Sequence, residues 1–327
     1  MSRQGEKRTR TLANVKDFWN KEAQQWGENP RVTIRDHYFR LLEIDTVLPI
    51  IKGRDKILDI GCGTGFSSIF YAQVVNEIIG ADYAELMVER AQRFLEDRKY
   101  YKNVMKTYSR DGKIPRFPTN LQFEVGDIVN INYPAKYFDA VIADRVLVNL
   151  PTVQLQKKAI SAVSRVLCPN GIWIVAEASK QGHKKIDKMR NLFGLPAMEK
   201  YWHNLYLDEP FIIRIFKKAG FSIHDTKRFE TYQFLSKVIH PLTVVPEEPQ
   251  FLAGFNRAAM DIARNFYDYK QIMRIGLESF LKKFRVVLTE YDPDKVEGYD
   301  KVCRQVLSLN PDFTGCSHQV LYHLIRT

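Results

Sequence analysis

The sequence predicts an α/β fold in which a mostly parallel sheet carries helices on both faces. Three observations lead there. Short apolar runs alternate with longer segments of helical spacing. The first run ends directly in a glycine-rich turn, Asp59-Ile60-Gly61-Cys62-Gly63-Thr64-Gly65. The second run ends in an acid, Asp82.

The elements follow in order. Residues 1–13 are basic and polar without an apolar stretch; they read as a disordered tail with no secretory signal. Asn14 is placed to cap a helix that runs to Trp26 and is broken by Gly27-Glu28-Asn29-Pro30. A second helix is expected from Val32 to Ile51, where Ile34, Tyr38, Leu41, Leu42, Val47 and Leu48 recur at helical spacing. Strands are expected at Lys56–Ile60, Glu77–Asp82, Leu121–Val125, Phe138–Ala143 and Gly171–Ala176. Helices are expected at Ser67–Gln73, Ala84–Glu96 and Thr152–Leu167, the last closed by Pro169-Asn170-Gly171. A helix at Glu209–Ala219 stops at Gly220, and Phe221–Phe229 is a strand. Breaks at Pro241 and Pro246–Pro249 precede helical patterning from Leu252 to Leu288. Gln319–Ile325 closes the chain as a late strand.

Length and composition set the class. The chain has 327 residues, enough for one large core or a core with an accessory module, and 45% are apolar, as in soluble globular proteins. No run reaches the roughly 18 apolar residues of a membrane span, and the expected location is cytoplasmic. Cys62, Cys168, Cys303 and Cys316 have neither CxxC nor Cys/His metal spacing and read as reduced thiols; no metal site is expected. The net charge is +11. Some of it lies in the tail, at Arg3, Lys7, Arg8 and Arg10, and some at Lys180, Lys184, Lys185, Lys188 and Arg190. Such a surface attracts anions, nucleic acid included, but charge runs are more often solvated faces.

The glycine turn carries the chemistry. Its residues permit a tight strand-to-helix turn and let a ligand lie against the backbone. Asp82 stands where an acid accepts hydrogen bonds from ribose hydroxyls. The GxGxG spacing departs from the GxGxxG of dinucleotide folds, which speaks against a nicotinamide cofactor. On these motifs residues 55–177 resemble the class I S-adenosylmethionine-dependent methyltransferases, a Rossmann-like fold. The resemblance implies that Asp59 and Gly61, Cys62, Gly63, Thr64 and Gly65 hold the methionine portion of S-adenosylmethionine. It implies ribose binding by Asp82, adenine packing by Tyr83 and Ile128, and a contact of Asp127 with the adenine amino group. Met87 and Asp144 complete the implied cofactor set. Arg145–Pro151, Trp202–Glu209 and Tyr232–Pro241 are similar to a bacterial subgroup associated with surface-polysaccharide or natural-product pathways.

The implied organisation is a basic tail and helical lid (1–51), a catalytic domain (52–234), a helical insertion (235–315) and a final strand (316–327). The lid mixes Trp19, Trp26, Arg31, Arg35, His37 and Tyr38, and an arginine there could grip a carboxylate. A sulfonium donor needs an aligned acceptor more than it needs acid–base help. For a hydroxyl acceptor, the candidates to assist are Arg145 after the fourth strand, Glu177 after the fifth and His203 in a polar-aromatic loop. The expected function is methyl transfer to oxygen or nitrogen of a small molecule, a sugar or glycan among them. RNA methylation is the runner-up, weakened because Ala143-Asp144-Arg145-Val146 replaces the Asn/Asp-Pro-Pro-aromatic tetrapeptide of many nucleic-acid methylases. A non-catalytic cofactor-binding protein is the third reading. The insertion is expected to shape the acceptor pocket or a homodimer contact.

Overall fold

The computed structural model describes residues 9–27, 29–109, 113–244 and 253–327. Helix α1 (Leu12–Trp26), a 3-10 turn at Pro30–Val32 and helix α2 (His37–Ile51) precede the sheet. Then follow β1 (Lys56–Ile60), α3 (Phe66–Tyr71), β2 (Glu77–Asp82), α4 (Glu85–Glu96), α5 (Arg98–Tyr108), β3 (Leu121–Val125), β4 (Phe138–Asp144), α6 (Val153–Val166), β5 (Leu167–Ala178), α7 (Lys180–Leu192), α8 (Glu209–Lys218) and β6 (Phe221–Arg228). A helical block comes next: α9 (Glu230–Phe234), a π-helical turn (Leu235–Ile239), α10 (His240–Thr243), α11 (Gly254–Ala263), α12 (Tyr269–Ile275), α13 (Leu277–Tyr291) and α14 (Val296–Leu309). Strand β7 (Gln319–Arg326) is last.

The strands form one seven-stranded sheet in the order β3-β2-β1-β4-β5-β7-β6. The first five are parallel; β7 pairs antiparallel with both β5 and β6. The chain winds outward from β1 to β3 and then returns to place β4 on the other side of β1. The connections leaving β1 and β4 therefore diverge, and a crevice opens at their carboxyl ends. One face of the sheet, with Ile57, Ile78, Ala140 and Ile174, packs against α2 to α5 and the helical block. The other, with Leu58, Val141, Trp173 and Val175, packs against α6 and α8. Among the described residues no helix is long and apolar enough to cross a membrane.

Several boundaries differ from the sequence reading, each for a local reason. Helix α1 starts at Leu12 because the Thr11 hydroxyl accepts from Asn14 N, so residues 9–13 are not part of a disordered tail. Helix α2 starts at His37, not Val32, because the Asp36 carboxylate accepts from Phe39 N at 3.2 Å. Strand β5 begins at Leu167 and runs through Pro169-Asn170-Gly171, absorbing the turn as an irregularity opposite Phe138 and Ala140. Helices α5 and α7 were not expected. Asp97 caps α5, and Ser179 caps α7, whose charge hides a buried stripe of His183, Ile186, Met189 and Arg190. The expected breaks at Glu28 and Pro246–Pro249, and the start of the helical pattern at Leu252, lie outside the described residues.

The helical block is continuous with the sheet's core. Phe255, Phe280 and Phe284 share one apolar cluster with Phe39 and Leu42 of α2. A polar node fixes the same junction: Asp36 accepts from the Tyr232 hydroxyl at 2.6 Å and from Asn256 Nδ2 at 3.1 Å, besides capping α2. Asp36→Ala strips the cap and leaves two buried donors without their acceptor. The expected loss is about 2–4 kcal/mol, measured by chemical denaturation; a loss below about 1 kcal/mol contradicts the role given to this node.

Candidate active site

The site grows from the end of β1. Past Ile60 the backbone turns through Gly61 (φ 80°) and Gly63 (φ 55°). A Cβ on Gly61 would come within 2.3 Å of Val146 Cγ2, and one on Gly63 within 2.6 Å of Thr33 Cγ2. Both the left-handed backbone and the close approach of neighbouring segments require glycine here. Asp59, inside β1, accepts from the Ser68 hydroxyl at 2.6 Å; burial pushes its carboxyl up to about 7 against that bond. Asp82, at the end of β2, clamps the turn, accepting from Gly63 N and from Ala84 N at 2.9 Å each. Burial pushes the group up to about 6 against the pull of the Ala84, Gly63 and Tyr83 backbone donors.

A cavity with about 980 Å³ of empty space, open to solvent, lies over these strand ends. Asp59, Gly61, Cys62, Gly63 and Asp82 line its floor. Tyr83, Met87, Asp127 and Ile128 form one end, with Asp127 Oδ1 held by Val129 N at 2.8 Å. Asp144 and Arg145 line it from the end of β4. Thr64 and Gly65, expected at the cofactor, do not reach the cavity; Gly65 packs on the Phe123 ring and caps α3.

The three residues expected to assist catalysis separate. Arg145 lines the cavity, but its Nη1 donates to both carboxylate oxygens of Glu43 (2.7 and 2.8 Å) and its Nη2 to Asp144 Oδ2 at 2.6 Å. Glu177 is completely buried away from the cavity and accepts from Val146 N, Leu147 N and Val148 N at 2.9, 2.6 and 3.1 Å. It orders the segment after β4, and its oxygens are consumed there. His203 is also outside the cavity: its ring stacks on Phe18 at 4.4 Å and on Tyr201 at 5.7 Å. It joins α1 to the loop before α8, as does the bond from Arg10 Nε to Trp202 O.

The sequence reading missed Arg40. It sits on α2, lines the cavity and is only 2% exposed. It donates to the Thr33 hydroxyl and lies 5.5 Å above the Phe66 ring, and no carboxylate of the described residues pairs with it. Burial and the charge of Arg145 push it down to about 9, which still leaves a cation at neutral pH. The signal was present: His37, Arg40 and Glu43 recur every three residues among the apolar residues of α2, and all three are buried. Such a stripe marks a polar partner inside the fold. Across the cavity the buried Asp144 Oδ1 has no partner among the described residues.

This donor set fits S-adenosylmethionine. The ligand's carboxylate needs a cation, its ammonium an acceptor, its ribose a two-oxygen acceptor and its adenine flat apolar walls. Arg40, Asp144, Asp82, and Tyr83 with Ile128 would supply these in turn.

Fold and site together define a Rossmann-like protein built for a small nucleoside-containing ligand. Comparison with known proteins makes the class specific. Residues 51–209 match the methyltransferase domain family. A methyltransferase of Aspergillus luteorubrus is 28% identical over 193 residues, 54% of this chain and 60% of that one. The 27-O-demethylrifamycin SV methyltransferase of Amycolatopsis mediterranei is 31% identical over 45% of this chain and 50% of its own length. The matches thus span about half of these relatives. Among solved structures, a methyltransferase in complex with the Haloferax volcanii Trm112 activator superposes with TM-score 0.51 and 12% identity, over 94% of this chain and 97% of that one; it shares the fold. Over residues 51–209 the chain matches a methyltransferase domain and is similar to the class I S-adenosylmethionine-dependent methyltransferases, whose cofactor is S-adenosylmethionine.

His203 gives a pH-dependent test. Burial, helped by Arg10, pushes its imidazole down to about 4 from an ordinary 6.5. The unfolded chain therefore binds a proton between these values that the folded chain does not, and this group lowers stability as pH falls from 6.5 toward 4. His203→Phe should gain on the wild type over that window, by up to about 1.4 kcal/mol per pH unit. A stability difference that stays constant with pH rules this out.

Proposed function

We propose that the chain transfers the methyl group of S-adenosylmethionine to an oxygen or nitrogen of a small molecule. The buried, unpaired Arg40 carries this reading. Asp144 and Glu43 favour the Arg40 cation from beyond contact distance, and a buried cation with no carboxylate in contact is costly unless a ligand supplies one. Arg40 faces a cavity that is also lined by the carboxylates of Asp59, Asp82, Asp127 and Asp144, while the other lining cation, Arg145, is already paired with Glu43 and Asp144. One zwitterionic ligand with a ribose satisfies Arg40, Asp82 and Asp144 together.

The remaining residues enclose the ligand. Leu12 and Trp19 of α1 line the cavity, and Trp19 Nε1 donates to Asn149 Oδ1 at 3.2 Å. Lys16 and Asn20 bind Glu85 and the start of α4, so α1 straps the adenine end. Exclusion of water strengthens the electrostatic contacts inside. The relatives' names support a small-molecule acceptor: they include rifamycin, sterol and ubiquinone/menaquinone methyltransferases. A hydroxylated acceptor, sugars and glycans among them, is our preferred class.

Calorimetry with S-adenosylmethionine and its demethylated product tests the reading. A charge-assisted bond contributes about 1.5–3 kcal/mol, so Arg40→Met and Asp82→Ala should each weaken binding by about tenfold or more. Unchanged affinity in folded Arg40→Met would refute the assignment of the carboxylate end. No binding by the wild type would refute the methyltransferase function.

A further inference from the structure

Beyond Arg145, on the side away from the glycine turn, lies a second group of polar side chains. His318 stands immediately before β7. Its Nδ1 lies 2.8 Å from Gln233 Oε1 on α9, across 85 residues of sequence. An amide oxygen only accepts, so Nδ1 carries the proton and Nε2 presents a lone pair. No described residue binds that Nε2. His318 is surrounded by protein yet keeps accessible surface, so its ring borders internal space. Gln233 has no accessible surface at all, and its Nε2 donor has no partner among the described residues.

Two cations act on His318, Lys237 of the π-helical turn and Arg145 at the end of β4, and a further imidazole, His183 of α7, which burial holds below its ordinary value, acts in the same direction. Asp187 pairs with His183 on the same helix. Burial and these charges push the His318 imidazole down to about 3, so it is neutral at neutral pH. The pair is also linked to the cavity: Gln319, the next residue, donates to Glu43 at 3.4 Å, and Glu43 holds Arg145. The π-helical turn starts two residues after Gln233, and such turns recur at functional sites.

We propose that the space beside His318 is the acceptor subsite, and that it takes a hydroxylated small molecule. His318 Nε2 accepts the hydrogen bond of the reacting hydroxyl. Gln233 is the positioning residue that holds the imidazole in its Nδ1–H form. This inference rests on the methyltransferase reading. As the acceptor oxygen forms its bond to the methyl carbon, the sulfur–methyl bond breaks and sulfur keeps the electron pair as a neutral thioether. The hydroxyl proton passes to His318 Nε2 and then to solvent. A weakly basic imidazole suffices, because an ether oxygen that has just taken a methyl group is a far stronger acid than an imidazolium.

The test uses the full chain saturated with S-adenosylhomocysteine, with catechol, methyl α-glucoside and veratrole as probes. Long-range proton–nitrogen spectra should show His318 as the Nδ1–H tautomer. Catechol or methyl α-glucoside should shift its Nε2 resonance, and the one that does so identifies the acceptor as phenolic or sugar-like. Veratrole, which lacks a hydroxyl, should not shift it. His318→Ala should weaken binding of the active probe at least about fivefold and leave S-adenosylhomocysteine affinity unchanged. Gln233→Met should release the tautomer, and Gln233→Glu should restore it. An Nε2–H tautomer in the wild type, no response to either hydroxylated probe, or equal probe binding by His318→Ala overturns the proposal. Failure of the wild type to bind S-adenosylhomocysteine overturns the methyltransferase reading beneath it.

Discussion

The pairing of Arg145 with Glu43 holds the site together. Arg145 follows β4 with a left-handed backbone (φ 57°), which turns its side chain toward α2. Glu43 lies on α2 with only 3% of its side chain exposed. The guanidinium bridges Glu43 on the helix and Asp144 at the strand end through its two terminal nitrogens, which ties α2 to β4. Burial pushes the Glu43 carboxyl up against the pull of Arg145, so neither partner is tolerable without the other. Because Arg40 lies one helical turn before Glu43, the same bridge determines where the unpaired cation enters the cavity. The floor of the site and its carboxylates come from the strand ends, whereas the unpaired cation comes from helix α2.

The molecule spends its buried charge unevenly. Glu177 is satisfied by three backbone donors, and Asp36 by a cap, a tyrosine and an asparagine. These groups order segments and have little capacity left for a ligand. Asp144 Oδ1 and Gln233 Nε2 have no hydrogen-bond partner among the described residues, Arg40 has no carboxylate in contact, and Arg40 and Asp144 line the cavity. Local under-satisfaction is costly for folding and useful for binding, since a ligand then recovers the missing interactions. The separation of the two kinds of group explains why Glu177, a plausible base by its position after β5, is structural.

The N-terminal segment and the helical block approach the cavity from opposite sides. Helix α1 is tied to α4 through Lys16 and Asn20, and to the loop before α8 through Phe18, Trp19 and their contacts with His203. The helical block is tied to α2 through Asp36 and a shared apolar core. The donor's surroundings thus depend on the chain's beginning, and the proposed acceptor's on its end.

Much of the sheet was legible in the sequence, because burial on both faces leaves near-continuous apolar runs and the glycine turn has a strict backbone requirement. Lys56–Ile60, Glu77–Asp82 and Leu121–Val125 were read with the bounds the structure has, and Asp82 was found from its distance to the turn. Helices α5 and α7 were obscured because their buried stripes sit among charged residues, and the start of α2 was obscured because Asp36 reads as one polar residue among several. The roles of single polar side chains were not legible. Whether Glu177 caps backbone or meets a substrate depends on how the segment after β4 folds beneath it. Whether Arg40 is paired depends on the rotation of α2, and His318 meets Gln233 only because β6 and β7 are neighbours in the sheet. Local sequence governs periodicity and backbone strain, which act within a few residues. The partner of a buried charge is chosen by contacts across many tens of residues, and only the tertiary structure decides them.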